Sequence, residues 1–142
     1  MASSVNLDSA ENLNITCRRG DTFTLTIVLK DSSGTALTLA TSNYEFFMQV
    51  RSSSRSRTAD RSRKLIMGST TFGEAEPSGK NFSFTTDDSG NLTISASSDI
   101  MKGVSPGSYV YDIQQKLDDV NTTILFGSFI VNDDISKIDA TN

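Results

Sequence analysis

The stretch Thr22-Phe-Thr-Leu-Thr-Ile-Val-Leu-Lys30 decides the fold. Phe23, Leu25, Ile27 and Leu29 alternate with Thr22, Thr24, Thr26 and Val28. Successive side chains of an extended chain point to opposite faces, so this period of two predicts a strand with one buried face. Asp31-Ser-Ser-Gly34 follows as a turn signal, because glycine takes positive φ cheaply. Ala36, Leu37 and Leu39 then return toward a core.

The same pattern spreads outward. Tyr44, Phe46, Met48 and Val50 share one face of a strand over 44–51, and Phe47 lies opposite with Glu45, Gln49 and Arg51, so the second face is expected to be partly covered. Leu65-Ile-Met67 predicts a short strand, and residues 68–80 a loop with Pro77. Phe82 and Phe84, then Leu92, Ile94 and Ala96, flank Asp87-Asp-Ser-Gly-Asn91 and predict a hairpin. Ser98-Asp-Ile-Met-Lys102 is the one helical candidate, with Ser97 or Ser98 to cap it and Gly103 to end it. Tyr109, Tyr111 and Ile113 form another strand face, and Asp118-Asp-Val-Asn121 turns the chain. Ile124–Val131 is the last strand, apolar on both faces and expected to be buried on both. About seven to eight short strands between frequent turns predict an all-β, antiparallel sandwich.

The bulk numbers agree. A chain of 142 residues fits one domain and can bury a substantial core. The organisation predicted is a polar N-terminal arm over 1–14, a single β-domain over 15–136 and a C-terminal tail over 137–142, with both ends flexible. Cys17 is the only cysteine, so no internal disulfide supports the fold. The opening residues lack the basic and apolar pattern of a signal peptide, and no apolar run approaches a membrane span. Synthesis and retention in a cytoplasm-like compartment are expected, with no membrane partner.

Three stretches together resemble a family of small tailed-phage virion proteins related to the N-terminal domain of baseplate upper proteins. The first is Arg19-Gly-Asp-Thr followed by the Phe23–Lys30 strand and Asp31-Ser-Ser-Gly34. The second is Tyr44-Glu-Phe-Phe-Met-Gln-Val-Arg51. The third is Gly107-Ser-Tyr-Val-Tyr-Asp-Ile113, continued by Phe126-Gly-Ser-Phe-Ile-Val131 and Asp133-Asp-Ile135. The resemblance spans residues 15–136. It implies an immunoglobulin-like β-sandwich serving as a structural subunit of a phage particle, with no catalytic residues to carry over. The Arg/Ser stretch at 51–64 is longer and more basic than that pattern.

Catalysis finds little support. The chain has no histidine, which removes the Ser-His and Cys-His pairs and the commonest metal ligand. Asp87/Asp88, Asp118/Asp119 and Asp133/Asp134 lie in turn-rich segments, where aspartate serves the local backbone. Asp87, Ser89 and Asn91 have the first spacings of a calcium loop, but Leu92 and Ser98 stand where glycine and glutamate belong. Arg19-Gly-Asp21 matches an adhesion tripeptide and equally a turn before a strand. The Asn-x-Ser/Thr matches at Asn14, Asn81, Asn91 and Asn121 are expected to be chance hits. No metal, cofactor or small-molecule substrate is expected, and the protein is not expected to be an enzyme.

The basic stretch is the sharpest signal. Arg51, Arg55, Arg57, Arg61, Arg63 and Lys64 are six of the 13 cationic residues of a chain of net charge −4. Opposed only by Asp60, the stretch carries +5, leaving −9 for the remainder. A segment that repels itself stays extended as a loop unless something acidic receives it, and arginine's fork suits carboxylates. The plain reading of the stretch is a solvated, mobile loop; its functional reading is docking on other virion proteins, further copies of this chain among them. The function expected of the chain is that of a structural subunit in a tail, baseplate, fibre-attachment or capsid-decoration position in the virion. A carbohydrate- or cell-surface-binding module is the alternative, disfavoured by the absence of Trp and by three Tyr that all sit in strand patterns. Nucleic-acid binding is disfavoured by the pI of about 4.7 and by the lack of interleaved aromatics.

Overall fold

A computed structural model describes residues 2–6, 11–31, 33–55, 63–69 and 75–133. Its strands are β1 (Ala2–Asn6), β2 (Glu11–Asn12), β3 (Ile15–Arg18), β4 (Phe23–Lys30), β5 (Glu45–Arg55), β6 (Arg63–Ser69), β7 (Asn81–Thr86), β8 (Asn91–Ala96), β9 (Gly107–Leu117) and β10 (Val120–Asn132). The helix α1 (Ser98–Lys102) lies between β8 and β9. One sheet runs β1-β4-β8-β7 and the other β6-β5-β9-β10, with β2 and β3 both laid along β10. A short parallel pairing of β6 with β7, Gly68 to Asn81 and Ser69 to Phe82, joins the sheets at one edge. The result is an all-β, sandwich-like fold made by one curled sheet.

The alternating residues fill the space between the layers. Phe23, Leu25, Ile27 and Leu29 of β4 are buried with Phe46, Met48 and Val50 of β5, Ile113 of β9 and Phe129 of β10. Phe23 packs at 5.6 Å from Phe82 and 5.5 Å from Phe129, so one aromatic cluster bridges the two sheets. Each fully buried apolar side chain contributes about 1.5–3 kcal/mol. The exposed pairs Lys102–Asp99 and Lys116–Asp119 contribute about 0–1 kcal/mol each, so burial holds this fold.

The turns follow their sequence signals. Asp87 Oδ1 accepts from the backbone N–H groups of Ser89 and Asn91 at 2.9 and 3.0 Å, which closes the β7–β8 hairpin. Gly90 is required there. Its φ is +82°, and a Cβ would stand 2.6 Å from the Leu29 carbonyl oxygen. Ser97 caps α1 by accepting from the Ile100 N–H, and Gly103 ends the helix. The β9–β10 turn places Asp118 and Asp119 at φ 51° and 66°, the pairing of positive angles that a two-residue hairpin needs.

Four differences from expectation matter. The pairings at the sheet margins are parallel (β1 with β4, β2 and β3 with β10, β6 with β7), whereas the central ladders are antiparallel as expected. Within residues 1–14, β1 and β2 pair with β4 and β10. The Arg/Ser stretch was expected to be a loop throughout, but β5 runs to Arg55 and β6 begins at Arg63. Finally, β10 is not covered on both faces. A bulge between Thr123 and Leu125 turns Ile124 and Leu125 inward together and leaves Phe126 41% exposed. The tail over 137–142 lies outside the described residues.

Candidate interaction surface

The described part of the basic stretch lies on the paired strands β5 and β6. Ladder pairing joins Val50 to Met67, Arg51 to Leu65 and Arg55 to Arg63, with shifts of register between each step. Lys64 N–H donates to Ser52 Oγ at 3.0 Å across the irregular part. The register therefore sets the backbones of two arginines, Arg55 and Arg63, opposite each other. Lys64 is exposed and Arg51 is half-buried. Arg57 and Arg61 lie outside the described residues, so four of the six predicted cations are brought onto one hairpin.

Arg51 sits at the bulge and faces away from the core. There it joins Gln49, Val110, Asp112, Tyr111 and Phe126 around a shallow hollow of about 290 Å³. The hollow follows from the ladder. Gln49 pairs with Asp112, and Asp112 with Phe126, so β5, β9 and β10 place these three in one row across the outer face. Arg51 pairs with Val110 in the next row. Arg51 Nη2 donates to Gln49 Oε1 at 3.1 Å, and Gln114 Nε2 donates to Asp112 Oδ2 at 3.2 Å. Phe47, on the same face, is 9% exposed, as the pattern of 44–51 predicted for a partly covered side. The surface thus offers a guanidinium, a carboxylate and an exposed aromatic ring within three strands.

The N-terminal segment runs along β10 at the border of the hollow. The Leu13 N–H donates to the Phe126 carbonyl at 2.9 Å, and the Tyr111 hydroxyl donates to the Leu13 carbonyl. Burial pushes the Tyr111 phenol well above its ordinary range, so it stays a donor. The Ser128 N–H donates to Asn14 Oδ1 at 3.1 Å. Gly127 permits this approach, since a Cβ there would meet the Leu13 carbonyl oxygen at 2.5 Å.

Other sequence signals resolve locally. Arg19 Nε donates to the Lys102 carbonyl at 3.1 Å, and the Asp21 N–H to the Arg18 carbonyl at 3.1 Å, so Arg19-Gly-Asp21 forms a turn. Burial, then the charge of Asp21, pushes the Cys17 thiol up to about 11, which suppresses the thiolate. Asp87, the first position of the calcium-like spacing, is occupied by its own turn. Among the described residues no three acidic or thiol side chains gather to hold a metal. No described helix is long and apolar enough to cross a membrane. Of the cations named from the sequence, Arg51 lines the hollow and Lys64 is exposed on β6, whereas the hollow itself was not read from the sequence. Phe126 lies inside an apolar run, and only the bulge beside it turns it outward.

Fold and surface together define an all-β, sandwich-like domain with a cationic hairpin beside a mixed polar and aromatic hollow. No protein family and no curated protein matches the chain by sequence. Among solved structures it is similar to the N-terminal domain of phage TP901-1 ORF48, at 10% identity over 93% of this chain and 99% of that one, with a TM-score of 0.44. It is also similar to an uncharacterized protein from Bacillus anthracis strain Ames, at 15% identity over 88% of this chain and 86% of that one, with a TM-score of 0.43. No residue role is carried over from either.

Proposed function

We propose that this chain is a non-catalytic structural subunit of a tailed-phage virion that acts through protein–protein contacts made by the cationic hairpin and the outer face beside it. One observation carries the proposal. A net-acidic chain gathers six of its 13 cations in a single stretch and opposes two of them in register. Such a charge arrangement is stabilised by a carboxylate-bearing partner, and the acidic remainder of a second copy has that character. The resemblance of residues 19–34, 44–51, 107–113, 126–131 and 133–135 to baseplate-domain proteins supplies the setting. Those stretches contribute β4, β5, β9 and β10, which include the strands that build the hollow.

The test is incorporation. Mass spectrometry of purified particles should find the wild-type chain at stoichiometric level. A variant with Arg51, Arg55, Arg57, Arg61, Arg63 and Lys64 all changed to Gln should keep its far-UV circular dichroism and drop out of the particles at least tenfold. Equal incorporation of the two would reject the hairpin as the contact. Tight DNA binding that falls steeply with salt would replace the proposal with nucleic-acid recognition.

A further inference from the structure

We propose that β1 is an exchanged strand, so that residues Ala2–Asn6 of one copy pair with β4 of another. The inference rests on the assembly reading only for the crowding it supplies; its geometry is independent. β4 is eight residues long, regular, free of proline and glycine, and charged only at Lys30. Its one side is taken by β8, from Phe23 paired with Ala96 to Val28 paired with Asn91. Its other side would be a bare edge, which natural proteins cover because it templates pairing with another chain. Here the cover is β1, parallel, with Ala2 opposite Thr26 and Asn6 opposite Lys30.

The strand that covers that edge is five residues long, and its chain is next held in the opposite sheet. The N-terminal segment is anchored at Leu13 and Asn14 on β10, in the opposite sheet, through the Phe126, Tyr111 and Ser128 contacts. Among the described residues upstream of that anchor, pairing consists of the two residues of β2 and the five of β1. Four residues separate β2 from β1, and the chain changes sheet between them. The strand itself reads Ala-Ser-Ser-Val-Asn and is joined to β4 by a backbone ladder. An identical strand from a neighbour makes the same bonds. Exchange therefore loses only the advantage of the tether, an effective concentration of about millimolar for a short linker. Packed subunits reach comparable local concentrations, and swapping of an identical element is a low-cost route to association.

Disulfide trapping distinguishes own-chain from exchanged pairing. Ser4 and Val28 are register partners. In a Cys17→Ala background, an isotope-labelled Ser4→Cys chain is mixed with an unlabelled Val28→Cys chain, concentrated and oxidised. The disulfide-linked peptide that joins the two introduced thiols, one from a labelled and one from an unlabelled chain, is then quantified by mass spectrometry. It should rise at least tenfold from about micromolar to about millimolar protein. The double variant in one chain should close on itself when dilute. Closure within the double variant with no link between mixed chains at any concentration overturns the exchange and leaves the assembly reading standing. No link in either arrangement also overturns it, because β1 would then not lie on β4. Asn6→Cys with Lys30→Cys, the pair two residues along, repeats the measurement with a second variant.

Discussion

Gln115 shows how much one side chain can say about a core. It is 7% exposed on the inner face of β9, and its Oε1 has no hydrogen-bond partner among the described residues. A buried, unsatisfied amide oxygen costs about 1–3 kcal/mol, more than the average made hydrogen bond returns. Gln115→Met keeps the length, removes the acceptor and is expected to raise stability by about 1 kcal/mol, seen as a higher urea midpoint at unchanged slope. A lower midpoint would mean that the amide is satisfied. Its burial was not legible in the sequence, where two adjacent glutamines look like a solvated pair. Phe126 is the converse case, an aromatic that the apolar run assigns to the interior and the bulge delivers to the surface.

At the scale of elements, the turns carry the acid sensitivity. The Glu76 carboxylate, ahead of β7, accepts from the Ser78 hydroxyl, from the backbone N–H groups of Ser78 and Lys80, and pairs with the Lys80 ammonium. These partners, the Ser78 hydroxyl foremost, hold its pKa down to about 2 from an ordinary 4.5. Asp87 is lowered in the same direction, chiefly by the Asn91 side chain. A carboxylate whose folded pKa is depressed stabilises the fold above its unfolded pKa, and that contribution is lost as pH falls toward the folded value. Stability should therefore decline between about pH 4.5 and pH 2. Glu76→Gln should flatten that decline and leave the neutral-to-alkaline limb unchanged; chemical denaturation at about pH 7, 4 and 2.5 measures both. An unchanged acid slope would show that Glu76 is equally free in both states. Most elements were legible because their period of two was clean, as in β4, β8 and the start of β9. The exceptions were β1, β2 and β3, which are short, polar and parallel, so neither alternation nor a hairpin turn announces them.

For the whole molecule, the two layers are tied at places that no local pattern reveals. The N-terminal segment lies on the C-terminal strand, Ile15 opposite Phe129 and Cys17 opposite Val131. The meeting point is Gly127, whose missing Cβ lets the Leu13 carbonyl approach. Gly127→Ala places a methyl 2.5 Å from that oxygen, so either β10 or the N-terminal segment must shift. The expected cost is about 1–3 kcal/mol, with faster amide exchange at Leu13 and Ser128 than at β4. Uniform acceleration across both sheets would instead place the strain in the shared core. The surface was half legible on the same grounds. Composition exposes a +5 stretch, whereas the row Gln49, Asp112, Phe126 exists only once three distant strands are in register.

That long-range closure also sets an order of events during synthesis. Of these ten strands β10 is the last to leave the ribosome, yet β2, β3 and β9 all pair with it. The early strands β2 and β3 must wait for the one made last before they can pair, a connection that is slow to close. A chain terminated before Val120 lacks the strand on which β2 and β3 are laid and which borders β9. Prematurely ended translation products therefore cannot present the hairpin beside a finished outer face, so completing the sheet doubles as a check on the length of the chain.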